Sequence, residues 1–165
     1  MRGQQDRVTV QVVAPMAGTV VDLRDVPDPV FSASVVGPGL ALLPDAADPV
    51  TGPGGRVVVV APCAGRLAAV YPHALMVRVD TRSVLVHLGL GTASLDGAGF
   101  DLAVAEDERV TVLQPLMAWS PADVGARGLS TLSPVVAVQG DQRAVLQLVT
   151  PGDRVEEGQP LLLWS

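Results

Sequence analysis

Lysine is absent from this sequence; all eleven basic residues are arginine. No side-chain amine is available as a covalent anchor. Cysteine occurs once, at Cys63, so an internal disulfide is excluded and nothing calls for an oxidising compartment. Aromatic residues are only 3% of the chain against 48% apolar residues overall, so Val, Ala and Leu must fill the core. Positive charge is scarce as well. A net charge of −6 and a pI near 4.7 argue against an electrostatic grip on nucleic acid or on an anionic membrane surface. No apolar run approaches the roughly 18 residues of a membrane span. Met1 to Arg7 is polar and lacks the apolar region of a secretion signal, so residues 1–7 are expected to be a flexible N-terminus and the protein cytoplasmic. The remaining residues, 8–165, fit one domain, long enough to bury a substantial core.

What is present is a succession of short strand signals. Val8 to Ala14, Thr19 to Leu23, Val57 to Val60, Arg66 to Tyr71, Leu75 to Val79, Val84 to Leu88, Val135 to Gln139, Leu146 to Val149 and Leu161 to Trp164 read as strands. Clusters drawn from 17 Gly and 14 Pro separate them. The pattern predicts an all-β fold, a compact sandwich or barrel with little helix. One short helical turn is expected over Pro121 to Gly125, with Ser120 as N-cap and Pro121 at the first helical position. Pro44 to Gly55, rich in Pro, Gly and Asp, is expected to be a surface loop.

The strands fall into an internal duplication. Ala14-Pro15-Met16-Ala17-Gly18-Thr19-Val20 returns as Ala61-Pro62-Cys63-Ala64-Gly65-Arg66-Leu67, offset by 47. Arg109 to Trp119 returns as Arg154 to Trp164, offset by 45, with Gln-Pro-Leu in register. One copied unit, repeated in a pseudo-two-fold β structure, accounts for both echoes.

The chain has only two histidines, His73 and His87. A hairpin with a three-residue loop, Val79 to Thr81, would set them directly opposite each other, with Cβ atoms roughly 5 Å apart. Two imidazoles that close make a site for a phosphoryl group, a metal or a proton relay.

The repeated motifs resemble those of biotinyl and lipoyl carrier domains, whose hammerhead fold carries Ala-Pro-Met-x-Gly-Thr-Val and Gly-Asp-x-Val-x-x-Gly-Gln-Pro-Leu. Gly152 to Leu161 fits the second pattern throughout. Those carriers need a lysine for the cofactor, so covalent biotin or lipoyl is excluded here and only the fold similarity remains. Val84-Leu85-Val86-His87-Leu88-Gly89-Leu90-Gly91-Thr92 resembles the phosphohistidine signature of glucose-family enzyme IIA of the bacterial phosphoenolpyruvate:sugar phosphotransferase system. Asp25 to Phe31, Pro72-His73-Ala74, Gly97 to Phe100 and Ser130 to Val136 resemble further stretches of that family, so the resemblance spans about residues 10 to 165.

The resemblance implies that residues 8–165 form one enzyme IIA domain built from two duplicated hybrid, hammerhead-like motifs. It implies that His87 accepts a phosphoryl group from phosphorylated HPr and passes it to a cysteine of a sugar-permease IIB domain. His73 would stabilise the group and support its transfer. Asp28, Val30, Phe31, Val36 and Leu85 are the candidate partner-binding residues, the apolar ones forming a water-excluding rim. No cofactor is required. Membrane contact would come only through the permease, and a monomer is expected. Thr81, Gly91 and Tyr71 depart from the family pattern at a glycine, an aspartate and a threonine. They keep open a non-catalytic relative that docks metabolic enzymes or transporters. His73 and His87 could also be two ligands of a zinc ion shared with a partner, since a closed site needs about four. Cys63, matched to Met16 in the repeat, is expected to be a buried apolar residue. The sugar and the permease are not encoded in this carrier.

Overall fold

The computed structural model describes residues 8–45 and 56–165; the expected flexible N-terminus and most of the expected surface loop lie outside the described residues. The chain forms β1 (Val10–Val13), β2 (Gly18–Asp22), α1 (Pro29–Ser32), β3 (Gly39–Pro44), β4 (Val57–Val60), β5 (Gly65–Tyr71), β6 (Ala74–Val79) and β7 (Arg82–His87). It continues with β8 (Phe100–Leu102), β9 (Arg109–Val110), β10 (Pro115–Trp119), α2 (Pro121–Ala126), β11 (Ser133–Ala137), β12 (Val145–Gln147), β13 (Arg154–Val155) and β14 (Pro160–Trp164). The helix α2 starts as its sequence predicts, with Ser120 Oγ accepting the Asp123 N–H at 3.2 Å.

An eight-stranded antiparallel sheet runs β13-β2-β3-β11-β7-β6-β5-β9. Two three-stranded sheets, β1-β14-β12 and β4-β10-β8, complete the sandwich. Strands β13 and β9 end the large sheet and do not pair with each other, so the barrel alternative is set aside. One core takes Val20, Leu42 and Val86 from the large sheet, Val12 and Leu162 from one small sheet, and Val59 and Leu116 from the other. A second apolar cluster, Leu23, Val26, Phe31, Ala41, Leu90 and Val136, lies apart from it.

The duplication is real but nested. Strand β1 pairs with β14 and β4 pairs with β10. Residues 57–119 therefore form one continuous unit, inserted between the two pieces of the other. Backbone hydrogen bonds repeat across the units. The Ala14 N–H donates to the Gln159 carbonyl at 2.8 Å, and the Ala61 N–H donates to the Gln114 carbonyl at 2.9 Å.

The hairpin that carries the histidines differs from the expected register by one residue. Strand β6 pairs with β7 from Val79↔Arg82 to Ala74↔His87, leaving the two-residue turn Asp80-Thr81. Asp80 takes φ +54°, a left-handed conformation that aspartate tolerates. His73 is therefore not opposite His87. It lies with Pro72 in the turn that joins β5 to β6, between the paired Tyr71 and Ala74. Pro72 has no N–H to give the ladder, so the strand ends before it and the turn sets the direction of the His73 side chain.

Candidate functional site

Three backbone features bring the imidazoles together despite the shifted register. Strand β7 ends at His87, the β5–β6 turn carries His73, and the Leu88 N–H donates to the His73 carbonyl at 2.8 Å. The two rings meet edge to face with centroids 5.2 Å apart. Phe31 lies on another side of His87, with ring centroids 5.3 Å apart. Tyr71 leans over His73 at 5.9 Å and is 57% exposed. A shallow concavity of about 190 Å³ opens here, lined by Ala69, Tyr71, His73, Met76, Leu85 and His87 among others.

His87 Nδ1 lies 2.7 Å from the Gly89 carbonyl oxygen. A carbonyl only accepts, so Nδ1 carries the proton and the lone pair is on Nε2. Burial holds His87 below the usual histidine value, and the neighbouring His73 adds to this. The Gly89 carbonyl and the Asp28 carboxylate act in the opposite direction and offset it in part. Burial also lowers His73. Both rings are thus neutral near pH 7, and His87 presents a nucleophilic nitrogen.

The loop after His87 is built around Gly89, whose φ is +74°. A Cβ there would stand 2.7 Å from Thr92 Cγ2 and 2.8 Å from the Ser130 carbonyl oxygen. The Gly89 N–H donates to Ser133 Oγ at 3.2 Å, and Thr92 Oγ1 donates to the Leu88 carbonyl at 2.7 Å. Sequence assigns none of these residues a role of its own, although Gly89 and Thr92 lie in the stretch Val84 to Thr92, and Ser130 and Ser133 in the stretch Ser130 to Val136, that carry the family resemblance.

The expected rim separates into parts. Val30 is exposed. Phe31 is only 5% exposed; it forms a wall of the second apolar cluster against His87 rather than an outer rim. The four-residue helix α1 turns it inward. Val36 and Leu85 are half-buried and pack on the same cluster. Asp28 caps α1 by accepting the Val30 N–H at 3.0 Å, so its carboxylate already has a structural partner. No hydrogen bond joins Tyr71 to His73 among the described residues; the phenol ring packs instead. Gly91 begins the 3-10 turn Thr92–Leu95 with φ +71°. Cys63 is buried, and burial pushes its thiol up to about 12, which removes it as a nucleophile. Among the described residues no three His, Cys, Asp or Glu side chains gather as a metal site, so the imidazole pair could offer two ligands only.

The family model for the phosphoenolpyruvate-dependent sugar phosphotransferase system, EIIA 1, matches residues 10–143. The chain is 31% identical over 150 residues to a PTS system glucose-specific EIIA component of Staphylococcus aureus, covering 89% of this chain and 84% of that protein. It is 34% identical over 155 residues to a PTS system glucoside-specific EIICBA component of Staphylococcus carnosus, covering 92% of this chain and 21% of that longer protein. Among solved structures, the glucose permease IIA from Mycoplasma capricolum superposes with a TM-score of 0.81 at 27% identity, covering 98% of this chain and 99% of that one.

Proposed function

This chain belongs to the EIIA 1 family of the phosphoenolpyruvate-dependent sugar phosphotransferase system, and from that premise we propose that His87 is its phosphoryl acceptor. The protein is a phosphocarrier of sugar uptake, a phosphotransferase component that accepts a phosphoryl group from HPr and passes it to a IIB domain. The single observation that carries the assignment of His87 is its Nδ1–H bond to the Gly89 carbonyl, which leaves Nε2 free to attack.

The step is an in-line displacement. Nε2 of His87 attacks phosphorus, the P–N bond of phospho-HPr breaks, and the electron pair returns to the donor imidazole. In the second step the IIB cysteine thiolate attacks the same phosphorus and the bond to Nε2 breaks. His73, 5.2 Å away between ring centroids, stands where it can donate a hydrogen bond to the phosphoryl oxygens. The arriving anion favours the protonated form of His73 and so offsets the lowering caused by burial. Val30, Phe31, Val36 and Leu85 exclude water around the group, and Asp28 adds one acidic contact for a basic partner. No cofactor takes part in this chemistry. A zinc ion would need two further ligands, from a partner or water.

Among the described residues no helix is long and apolar enough to cross a membrane. In this reading the protein meets the membrane only through its permease, on the cytoplasmic side, and acts as a monomer that presents one face to successive partners. The test is transfer of label from phosphoenolpyruvate through enzyme I and HPr. Wild type should take up acid-labile label, His87→Gln none, and His73→Gln should be labelled but pass the group on poorly. Label on His87→Gln at the wild-type rate would sink the assignment. No label on wild type, with HPr active, would favour the docking relative instead.

A further inference from the structure

The described core contains two buried polar side chains, Thr92 and Ser133. They come from different parts of the fold, the 3-10 turn after His87 and the first position of β11. Both reach the same peptide group. Thr92 Oγ1 donates to the Leu88 carbonyl at 2.7 Å, and the Gly89 N–H of that peptide donates to Ser133 Oγ at 3.2 Å. Ser133 Oγ in turn donates to the Thr131 carbonyl at 2.9 Å. The next peptide is held as firmly: the Gly89 carbonyl accepts His87 Nδ1–H at 2.7 Å, and the Leu90 N–H donates to the Ser130 carbonyl at 3.0 Å.

A buried hydroxyl is costly unless bonded, and apolar side chains fill the surrounding core. Glycine, by contrast, is the residue most free to let a peptide plane turn. The loop needs Gly89 for its φ and close contacts, yet that freedom threatens the direction of the carbonyl beside His87. Two hydroxyls converging on the preceding peptide answer that problem.

We propose that Thr92 and Ser133 are positioning residues of phosphoryl transfer: they clamp the Leu88–Gly89 peptide and thereby aim the Gly89 carbonyl at His87 Nδ1. The clamp fixes the tautomer and keeps the lone pair on Nε2. Polarisation runs along the chain too, since donation by the Leu90 N–H to Ser130 strengthens the Gly89 carbonyl as an acceptor. This inference rests on His87 as the acceptor.

The experiment compares full-length wild type, Thr92→Val, Thr92→Ser and Ser133→Ala in two readouts. One is the rate of phosphoryl uptake from phospho-HPr. The other is the His87 tautomer, read from imidazole nitrogen shifts by NMR, which does not depend on transfer. Wild type should show one tautomer, protonated on Nδ1. Thr92→Val should show a mixture and take up phosphate about tenfold more slowly. Thr92→Ser, which keeps the hydroxyl, should restore both. Ser133→Ala carries the same test if Thr92→Val does not fold. Folded Thr92→Val or Ser133→Ala with a single tautomer and wild-type uptake would overturn the clamp. If wild type takes no phosphate, the acceptor assignment fails and the role in transfer falls with it, whereas mixed tautomers in the variants would still show that the two hydroxyls aim the Gly89 carbonyl at His87.

Discussion

Gly89→Ala isolates the steric demand of the loop behind His87, because Gly91 provides an internal control. Both glycines have a left-handed backbone, φ +74° and φ +71°. A Cβ on Gly91 would meet only Leu129 Cδ2, at an ordinary 3.6 Å. Gly91→Ala therefore carries the left-handed penalty alone, about 1–2 kcal/mol. On Gly89 the added carbon would stand 2.7 Å from Thr92 Cγ2 and 2.8 Å from the Ser130 carbonyl oxygen. Relief requires the loop to draw away from Ser130 and Ser133. That motion weakens the Leu90 N–H bond to Ser130 and the Gly89 N–H bond to Ser133, each worth about 1 kcal/mol. The sum is about 3–4 kcal/mol. In a chain of this length each 1 kcal/mol lowers Tm by roughly 2–4 °C. Gly91→Ala should then lose about 2–8 °C and Gly89→Ala about 6–16 °C. Calorimetry on both variants reads the difference, and the His87 tautomer should be disturbed in Gly89→Ala alone. Equal losses of Tm would refute the argument, because they would show that the approach of Thr92 and Ser130 is not what the glycine relieves.

Three further outcomes follow from the same geometry. Both histidines have lowered pKa values in the fold, so the unfolded chain binds their protons first as pH falls below about 6.5. Their contribution to stability is complete above that value and is lost on going down through the folded pKa. Urea midpoints should therefore drop between about pH 8 and about pH 5, and less steeply in His87→Gln. A pH profile identical in wild type and variant would contradict this. Cys63, with its thiol pushed up to about 12, should resist a thiol reagent in the native state at about pH 8 and react fully once unfolded. Rapid native labelling would show that the residue is not buried. Tyr71 is largely exposed and packs on His73, so Tyr71→Ala should change stability by no more than about 0.5 kcal/mol while slowing transfer to the IIB domain. Tyr71→Phe should transfer normally; a Phe variant as slow as Ala would assign the effect to the hydroxyl.

Sequence pattern reveals a strand when its signal is local. Val57–Val60 and Leu161 to Trp164 are runs of apolar residues bounded by turn residues, and both fold as read. Strand β3 escaped because Leu40, Ala41 and Leu42 are all fully buried, so no alternation marks it. Strands β9 and β13 have two residues each and exist only through their partners β5 and β2. Helix α1 is four residues long; no such helix is stable alone, and its signals were only Asp28 as cap and Pro29 at the first position. The imidazole pair was legible because the chain offers no other histidine, yet its register was not, since one turn at Pro72 moves His73 off the strand. The supports of the site were hidden for a different reason. Ser133 is 44 positions from Gly89, and only the β11–β7 pairing brings its strand beside the loop.

The nested duplication explains why a two-fold scaffold carries one such site. Gly39 pairs with Val136 in one unit as Ala74 pairs with His87 in the other. The Ala137 N–H donates to the Pro38 carbonyl at 2.8 Å, as the Leu88 N–H donates to that of His73. The counterparts of His73 and His87 are therefore Pro38 and Val136. The axis passes between the paired Val86 and Val135, so these two sets of positions are next to each other rather than at opposite ends of the molecule. Val136 faces Leu85 across the strands and packs with Phe31 and Leu90. One unit thus supplies the imidazoles and the other supplies the apolar support beside them. A second pair of histidines at Pro38 and Val136 would remove that support, set two phosphoryl charges side by side, and ask two partners to dock on the same ground. Symmetry of the backbone survives because both halves fold by the same strand contacts, and symmetry of the side chains is broken at the axis, where one unit places His73 and His87 and the other places Pro38 and Val136.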